Sequence, residues 1–431
     1  MSFPVVLGMI SQTLIQVTDT LMVGRLGSEA IACAGLGGTT YFTIMVLLLN
    51  GSVGIQILTA RRLGENNLSQ VGKIATTAFY FSILAGLVIT FLGIYSSHFF
   101  INLLNDNPQI VQKTTVYIQY RFWGTVFFFV SFGIRGFFDG IGQTYVGMFS
   151  SIFTMASNVF LNWVLIFGNL GFTPMGINGA AIASSISGSL GFLVCLPFLA
   201  QKEIRHYLQL AKFRYDVKAL KNTLVVGFPS ALDGLLTHTS FLFFNKMAGM
   251  ISVYSLAATT ILISILAVSF MPGYAFGIAA TTILGQAVGK KKFILARIGT
   301  YRAAHYSALI MSVMGILFIL FGRVIISFFS KEEIMLKETY PALVIVSLAQ
   351  LGDAYNMVFG SALRSAGFVN WVLVAYFIAS YLVMLPIAYL FGVYLDMGTL
   401  GLWFSIFVWL YLTAIIFVSK FNKGDWKSKE I

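Results

Sequence analysis

Residues 4–25 read PVVLGMISQTLIQVTDTLMVGR. The run is long and apolar enough to cross a bilayer, yet Asp19 lies well inside it. At about 1.5 Å per residue, Asp19 falls roughly 22 Å along a helix that starts at Pro4. A carboxylate at that depth costs several kcal/mol unless water, a partner or a proton relieves it. Such a group is suited to binding and releasing a proton. Around it, the chain has the composition of a membrane scaffold. Its 431 residues are 58% hydrophobic and only 10% charged, with a mean hydropathy of +0.86. A soluble protein carries about 25% charged residues. The first apolar run lacks a basic leader and a small-residue cleavage site, so no cleavable signal is expected. The start is abrupt, and a few preceding residues are expected to be missing.

Apolar runs of about 20 residues predict twelve spanning helices, over 3–23, 32–60, 74–97, 112–134, 144–167, 177–200, 221–246, 254–285, 298–321, 339–363, 369–392 and 399–419. The expected fold is an all-α polytopic membrane protein. The longest polar connection, Gln201 to Lys221, divides it into a six-helix lobe over 1–200, a cytoplasmic linker over 201–220 and a second six-helix lobe over 221–431. If the N-terminus is cytoplasmic, 20 of the 27 Lys and Arg fall on the inner side and 7, Arg121 among them, on the outer. That asymmetry follows the positive-inside rule and places both termini in the cytoplasm of a plasma (inner) membrane protein. The net charge of +12 then reports topology and contact with membrane lipid, not nucleic acid. Cys33 and Cys195 lie in apolar runs and read as buried thiols. The four His show no metal-ligand spacing, so neither a metal nor another cofactor is expected.

The two halves repeat. Pro4 and Pro229, Gly24 and Gly249, Gly64 and Gly289, and Gly142 and Gly367 all stand 225 residues apart; MGINGAA at Met175 and MGTLGLW at Met397 stand 222 apart. Each half holds an even number of spans, so both enter from the same side. Such repeats are related by a pseudo-two-fold axis along the membrane normal, and two such bundles suggest a rocking transporter.

Several stretches resemble the multidrug and toxic compound extrusion (MATE) family. They are TLMVGRLGSEAIA (20–32), ILTARRLGENN (57–67), NVFLNWVLIFGNLGFTPMGINGAAIAS (158–184), TTILGQAVGKKK (281–292) and SALRSAGFVNW (361–371), which together run through both halves in order. The resemblance implies two six-helix lobes around a central cavity. It also implies export of amphipathic, often cationic compounds, driven by inward movement of H⁺ or Na⁺. Asp19 occupies the family's first-helix carboxylate position. Where many members carry a helix-five Asp four residues after an Asn, this chain has Asn158 and Asn162. Where some carry a Glu eight residues past the helix-seven Pro, it has Thr237 beside His238.

Three acids of fifteen fall deep in predicted spans: Asp19, Asp233 and Asp353. Asn158 and Asn162 share a helix face and are placed to complete an ion-coupling cluster with Asp19; Gln16, but not Thr18, lies roughly on Asp19's face. Asp353 lies eleven residues before Arg364, the spacing at which part of the family carries a helix-ten Asp, and about 20 Å into its span. With Asp233 and His238 it makes a possible second ion or substrate site. Pro4, Pro229 and Pro272 remove backbone hydrogen bonds and are candidate hinges. Met and aromatic side chains suit a wall for varied organic cations.

The expected function is secondary antiport by a monomer, with H⁺ favoured over Na⁺ because Asp19 stands without a second helix-five carboxylate. A lipid-linked oligosaccharide flippase is the alternative; the absence of deep Lys or Arg argues against it and for cationic cargo. An integral-membrane enzyme or an ATP-driven pump lacks any motif here.

Overall fold

The computed structural model describes residues 1–210 and 215–427, without the side chains of Ser28 and residues 47–50. Lys212, Arg214 and Lys429 of the inner charge set lie outside the described residues, as does the linker stretch 211–214. Among the described residues every regular element is helical. The chain forms α1 (Ser2–Gly24), α2 (Ser28–Gly64), α3 (Leu68–Leu104), α4 (Pro108–Trp123), α5 (Thr125–Ile141), α6 (Tyr145–Phe167), α7 (Gly176–Leu199), α8 (Lys202–Leu210), α9 (Val217–Ile251), α10 (Val253–Gly289), α11 (Phe293–Ser327), α12 (Glu333–Leu348), α13 (Gln350–Ser365), α14 (Val369–Tyr394) and α15 (Gly398–Lys423).

Nine of these are long and apolar enough to cross a membrane, and eleven spans result if α4–α5 and α12–α13 each count as one bent span. The remaining expected span is α9, whose 35 residues are diluted by Lys218, Lys221, Asp233 and Lys246. The bends measure 45° at Gly124 and 49° at Ala349, positions again 225 apart. The repeat extends to the turns. Asn66 and Lys291, both non-glycine, adopt φ +57°, and Gly142 and Gly367 both adopt φ +91°. Each turn closes with the same bond pattern: the amides of Asn67 and Lys292 reach the carbonyls of Arg62 and Ala287, and those of Gln143 and Phe368 reach Phe138 and Leu363. A left-handed residue after a helix satisfies carbonyls that the helix leaves open.

Pro4 occupies the first turn of α1, where a proline removes no intrahelical bond. It therefore makes no interior kink. Pro229 and Pro272 do lie inside continuous helices. The sharp bends at Gly124 and Ala349 come instead from helix breaks without proline. α14 is π-helical over Ile378–Met384 and again over Ala388–Tyr394, a local widening that often accompanies function.

The chain divides into two compact units, Phe3–Ala231 and Leu232–Ile431. The division falls inside α9, beyond the linker expected over 201–220. The linker is partly helical because α8 is amphipathic: Ile204 and Tyr207 are buried, and the helix lies along α3. In the first unit α6 packs along α7, and α2 and α3 along α5; in the second, α13 packs against α10, α11 and α15. Packing of α1 is sparse, with only Gly8, Ser11 and Val23 buried.

Asp216 opens α9. Its side chain accepts from the amides of Lys218 (2.9 Å) and Ala219 (3.0 Å), its own amide donates to Thr77 Oγ1 (3.1 Å), and Lys73 Nζ lies 3.1 Å from its carboxylate. The Ala219 amide and then Lys73 hold the Asp216 carboxyl below its usual range. A depressed folded pKa means the stabilisation is full above the ordinary value of about 4 and fades as pH falls through the folded value. Asp216→Ala should lower stability by about 1 kcal/mol near neutral pH. The deficit should shrink on acidification, as read from urea midpoints of the purified protein between neutral and acid pH. A deficit independent of pH would exclude the carboxylate as its source.

Candidate functional site

In the first unit the α6 asparagines and the α1 acid meet. Asn158 and Asn162 are one turn apart, so both face α1 and both are buried, at 1% and 0% exposure. Asn162 Nδ2 donates to Asp19 Oδ1 at 2.5 Å and to Asn158 Oδ1 at 3.1 Å. Asn158 Nδ2 reaches Ser184 Oγ of α7 at 3.5 Å, and Ser184 also approaches the Asp19 carboxylate. Asn162 Oδ1 is buried without a partner among the described residues. Asp19 itself stays partly exposed, so the carboxylate has a polar wall on one side and access on the other. Gln16 points outward and Thr18 bonds the Leu14 carbonyl of its own helix (2.8 Å). Neither joins the cluster.

Sequence reading missed one member of this region. Arg121, assigned to the outer side, lies in the last turn of α4, about 20 Å from the start of that helix. Its guanidinium carbon sits 4.8 Å from the Tyr41 ring centre and 5.9 Å from that of Tyr117. Nη1 donates to the Tyr117 hydroxyl at 3.0 Å. Its charge acts on Asp19. The inference that deep Lys and Arg are lacking is therefore corrected. Sorting charges by the nearest apolar boundary assumes they sit in loops, and the break after α4 violates that assumption.

The break itself is well supported. A helix end leaves carbonyls without partners. Here Ser185 Oγ donates to the Tyr120 carbonyl (2.7 Å) and the Arg121 carbonyl (3.3 Å), and Thr90 Oγ1 to that of Phe122 (3.0 Å). Gly124 is needed for the approach of α7: a Cβ there would stand 2.7 Å from Ser185 Cα.

In the second unit the three expected residues separate in character. Asp233 is buried at 6% exposure and bonds Arg364 directly, which leaves its Oδ1 without a hydrogen bond. Arg364 lies 5.3 Å from the Tyr376 ring centre. The Tyr376 hydroxyl donates to Asn356 Oδ1 (2.7 Å), and Asn356 Nδ2 approaches Asp353 Oδ1 (3.5 Å). Asp353 is partly exposed and has no described cation beside it. His238 remains partly exposed further along α9. In the sequence Arg364 served as a spacing marker and as one of the 20 inner-side charges; a cation eleven residues beyond an intramembrane acid was the available signal that one acid would be paired. No three His, Cys, Asp or Glu side chains converge among the described residues.

The MatE family model matches twice, over residues 4–164 and 229–390, with starts separated by the same 225 residues as the repeat. A "Probable multidrug resistance protein NorM" of Thermotoga maritima is 25% identical, the alignment covering 97% of this chain and 90% of that protein. A "Multidrug resistance protein NorM" of Aliivibrio fischeri is 23% identical, over 96% and 92%. Among solved structures, one reported as "Outward-facing conformation of a multidrug resistance MATE family transporter of the MOP superfamily" superposes with a TM-score of 0.92 at 22% identity, covering 99% of this chain and 95% of its own. Another, a "MOP superfamily transporter from Pyrococcus furiosus" reported with "reverse polarity of binding pocket", gives 0.91 at 21%, again over 99% and 95%.

Proposed function

Since the chain belongs to the MatE family of membrane transporters, what is open is its cargo and its driving ion, and we propose that it is a secondary antiporter exporting amphipathic organic compounds with a cationic centre in exchange for H⁺. The relatives' names, multidrug resistance proteins, support the export of drug-like compounds. The observation that carries the coupling is the bond from Asn162 to Asp19 (2.5 Å), made by a partly exposed carboxylate on a sparsely packed helix. When Asp19 is ionised it accepts this bond and attracts a cationic cargo. When it takes a proton the attraction ends and the cargo is released. Alternation of these two states between the two sides of the membrane is antiport.

H⁺ needs only the carboxylate, and Asn162 presents a donor to it rather than an oxygen ligand. Na⁺ is the second reading, because the orphan Asn162 Oδ1 is an oxygen that an entering cation would meet. Asp353 is the acid we assign to a second ion or substrate contact, with Asp233 and His238 of α9 as its further members; Asp233 is already committed to Arg364. Pro229 and Pro272 are the proposed bending points. The protein acts as a monomer in the plasma membrane with both termini cytoplasmic.

The test is efflux of a fluorescent organic cation from proteoliposomes. An imposed proton gradient without Na⁺ should drive it, and an imposed Na⁺ gradient at matched pH should not. Transport driven by Na⁺ alone would replace H⁺ with the second reading. If neither gradient moves the dye and a lipid pyrophosphate binds instead, the protein is a flippase.

A further inference from the structure

We infer that Arg121 is an anion anchor: the first unit takes cargo that carries a carboxylate or similar anionic group, and the guanidinium pairs with it. The inference rests on the export reading and adds a second chemical requirement to its cargo.

Arginine stays charged in any protein environment and offers five N–H donors in a planar fork. In the interior of a membrane protein such a charge is ordinarily paired. Arg364 follows that rule through Asp233. Arg121 does not. Its side chain donates to one neutral hydroxyl, that of Tyr117, and no carboxylate among the described residues pairs with it directly. Tyr41 and Tyr117 supply ring faces, which favour a cation but leave most of its donors unused. The Tyr41 ring is fixed in turn through its hydroxyl, 3.3 Å from Thr125 Oγ1. The side chain is thus held in place, and it is partly exposed. A bidentate carboxylate fits this fork.

Asp19 is near enough for the two charges to interact but does not contact Arg121. Two opposite charges held apart suit a ligand with an anionic and a cationic end. A cargo with only a cation would meet Asp19 and also the repulsion of Arg121. At a typical effective protein dielectric, that repulsion is worth on the order of tenfold in affinity.

The experiment compares one xanthene dye as its free carboxylic acid, a zwitterion at neutral pH, and as its methyl ester, a cation. Binding of each to purified protein in nanodiscs is read by fluorescence polarisation. The native protein should bind the acid about tenfold more tightly than the ester. Arg121→Gln should bring the ratio to about one without weakening the ester, and Arg121→Lys should keep part of the preference, because charge survives without the fork. Equal binding of the two dyes by native protein overturns the anchor. So does an unchanged ratio in Arg121→Gln, or binding of neither dye. Should Arg121→Gln fail to fold, the native ratio still decides, and Tyr117→Phe, which removes the orienting hydroxyl, should reduce it a few-fold. Gradient-driven efflux of the ester, measured alongside, separates the two readings. Ester efflux with no acid preference removes only the anchor. An acid preference without any gradient-driven efflux removes only antiport.

Discussion

Asp19→Asn is expected to reduce gradient-driven efflux by at least about tenfold while leaving the protein folded. The substitution preserves shape and an oxygen that can accept from Asn162, so the α1–α6 link at 2.5 Å persists as a neutral hydrogen bond. What disappears is the negative charge and with it the capacity to exchange a proton. Efflux from everted vesicles under an imposed proton gradient measures the first effect; the apparent melting temperature of the purified protein measures the second. Asp19→Glu, which keeps the charge on a longer stem, should retain partial efflux. If Asp19→Asn transports at the native rate under the gradient, the coupling acid is Asp353, the other partly exposed interior carboxylate.

The second large effect concerns stability. Asp233→Ala should cost about 3–5 kcal/mol, because it leaves Arg364 charged and unpaired in the interior of the second unit. Arg364→Ala should cost a similar amount, since Asp233 would then be stranded. The double change Asp233→Leu with Arg364→Met should recover most of the loss, because buried pairs replaced by apolar side chains of similar volume are often neutral. The three variants form a cycle that can be read from apparent melting temperatures of purified protein. Independent, additive losses would mean that the contact between these side chains contributes little. Efflux retained by the double variant would further confine this pair to a structural role and leave Asp353 as the second-unit acid.

The spans were legible because twenty apolar residues have few fates, and the 225-residue repeat was legible from Pro and Gly, whose backbone demands persist when side chains drift. The repeat proved deeper than those markers, since Asn66 and Lys291 share a left-handed turn that neither residue type announces. Asn158 and Asn162 were legible as one face because a helix puts residues four apart together. The breaks at Gly124 and Ala349 were not. Hydropathy averages over a window and is blind to a 45° or 49° bend, and the side chains that satisfy the exposed carbonyls, Thr90 and Ser185, lie far away in sequence. Arg121 was misplaced for the same reason. Asp233 and Arg364 stand on α9 and α13, with three helices of chain between them, a pairing that only tertiary structure provides.

The sparse packing of α1 sets an energy scale. Three buried residues leave little apolar area to hold this helix in place, and one of its polar ties is a hydrogen bond to an ionisable group. A hydrogen bond to a charged group contributes about 1.5–3 kcal/mol. One elementary charge crossing a membrane potential of 100 mV releases about 2.3 kcal/mol. Under the proposed proton coupling, tie and driving force are of equal size, so the arrival of a single proton at Asp19 would carry enough work to loosen α1 from its neighbours.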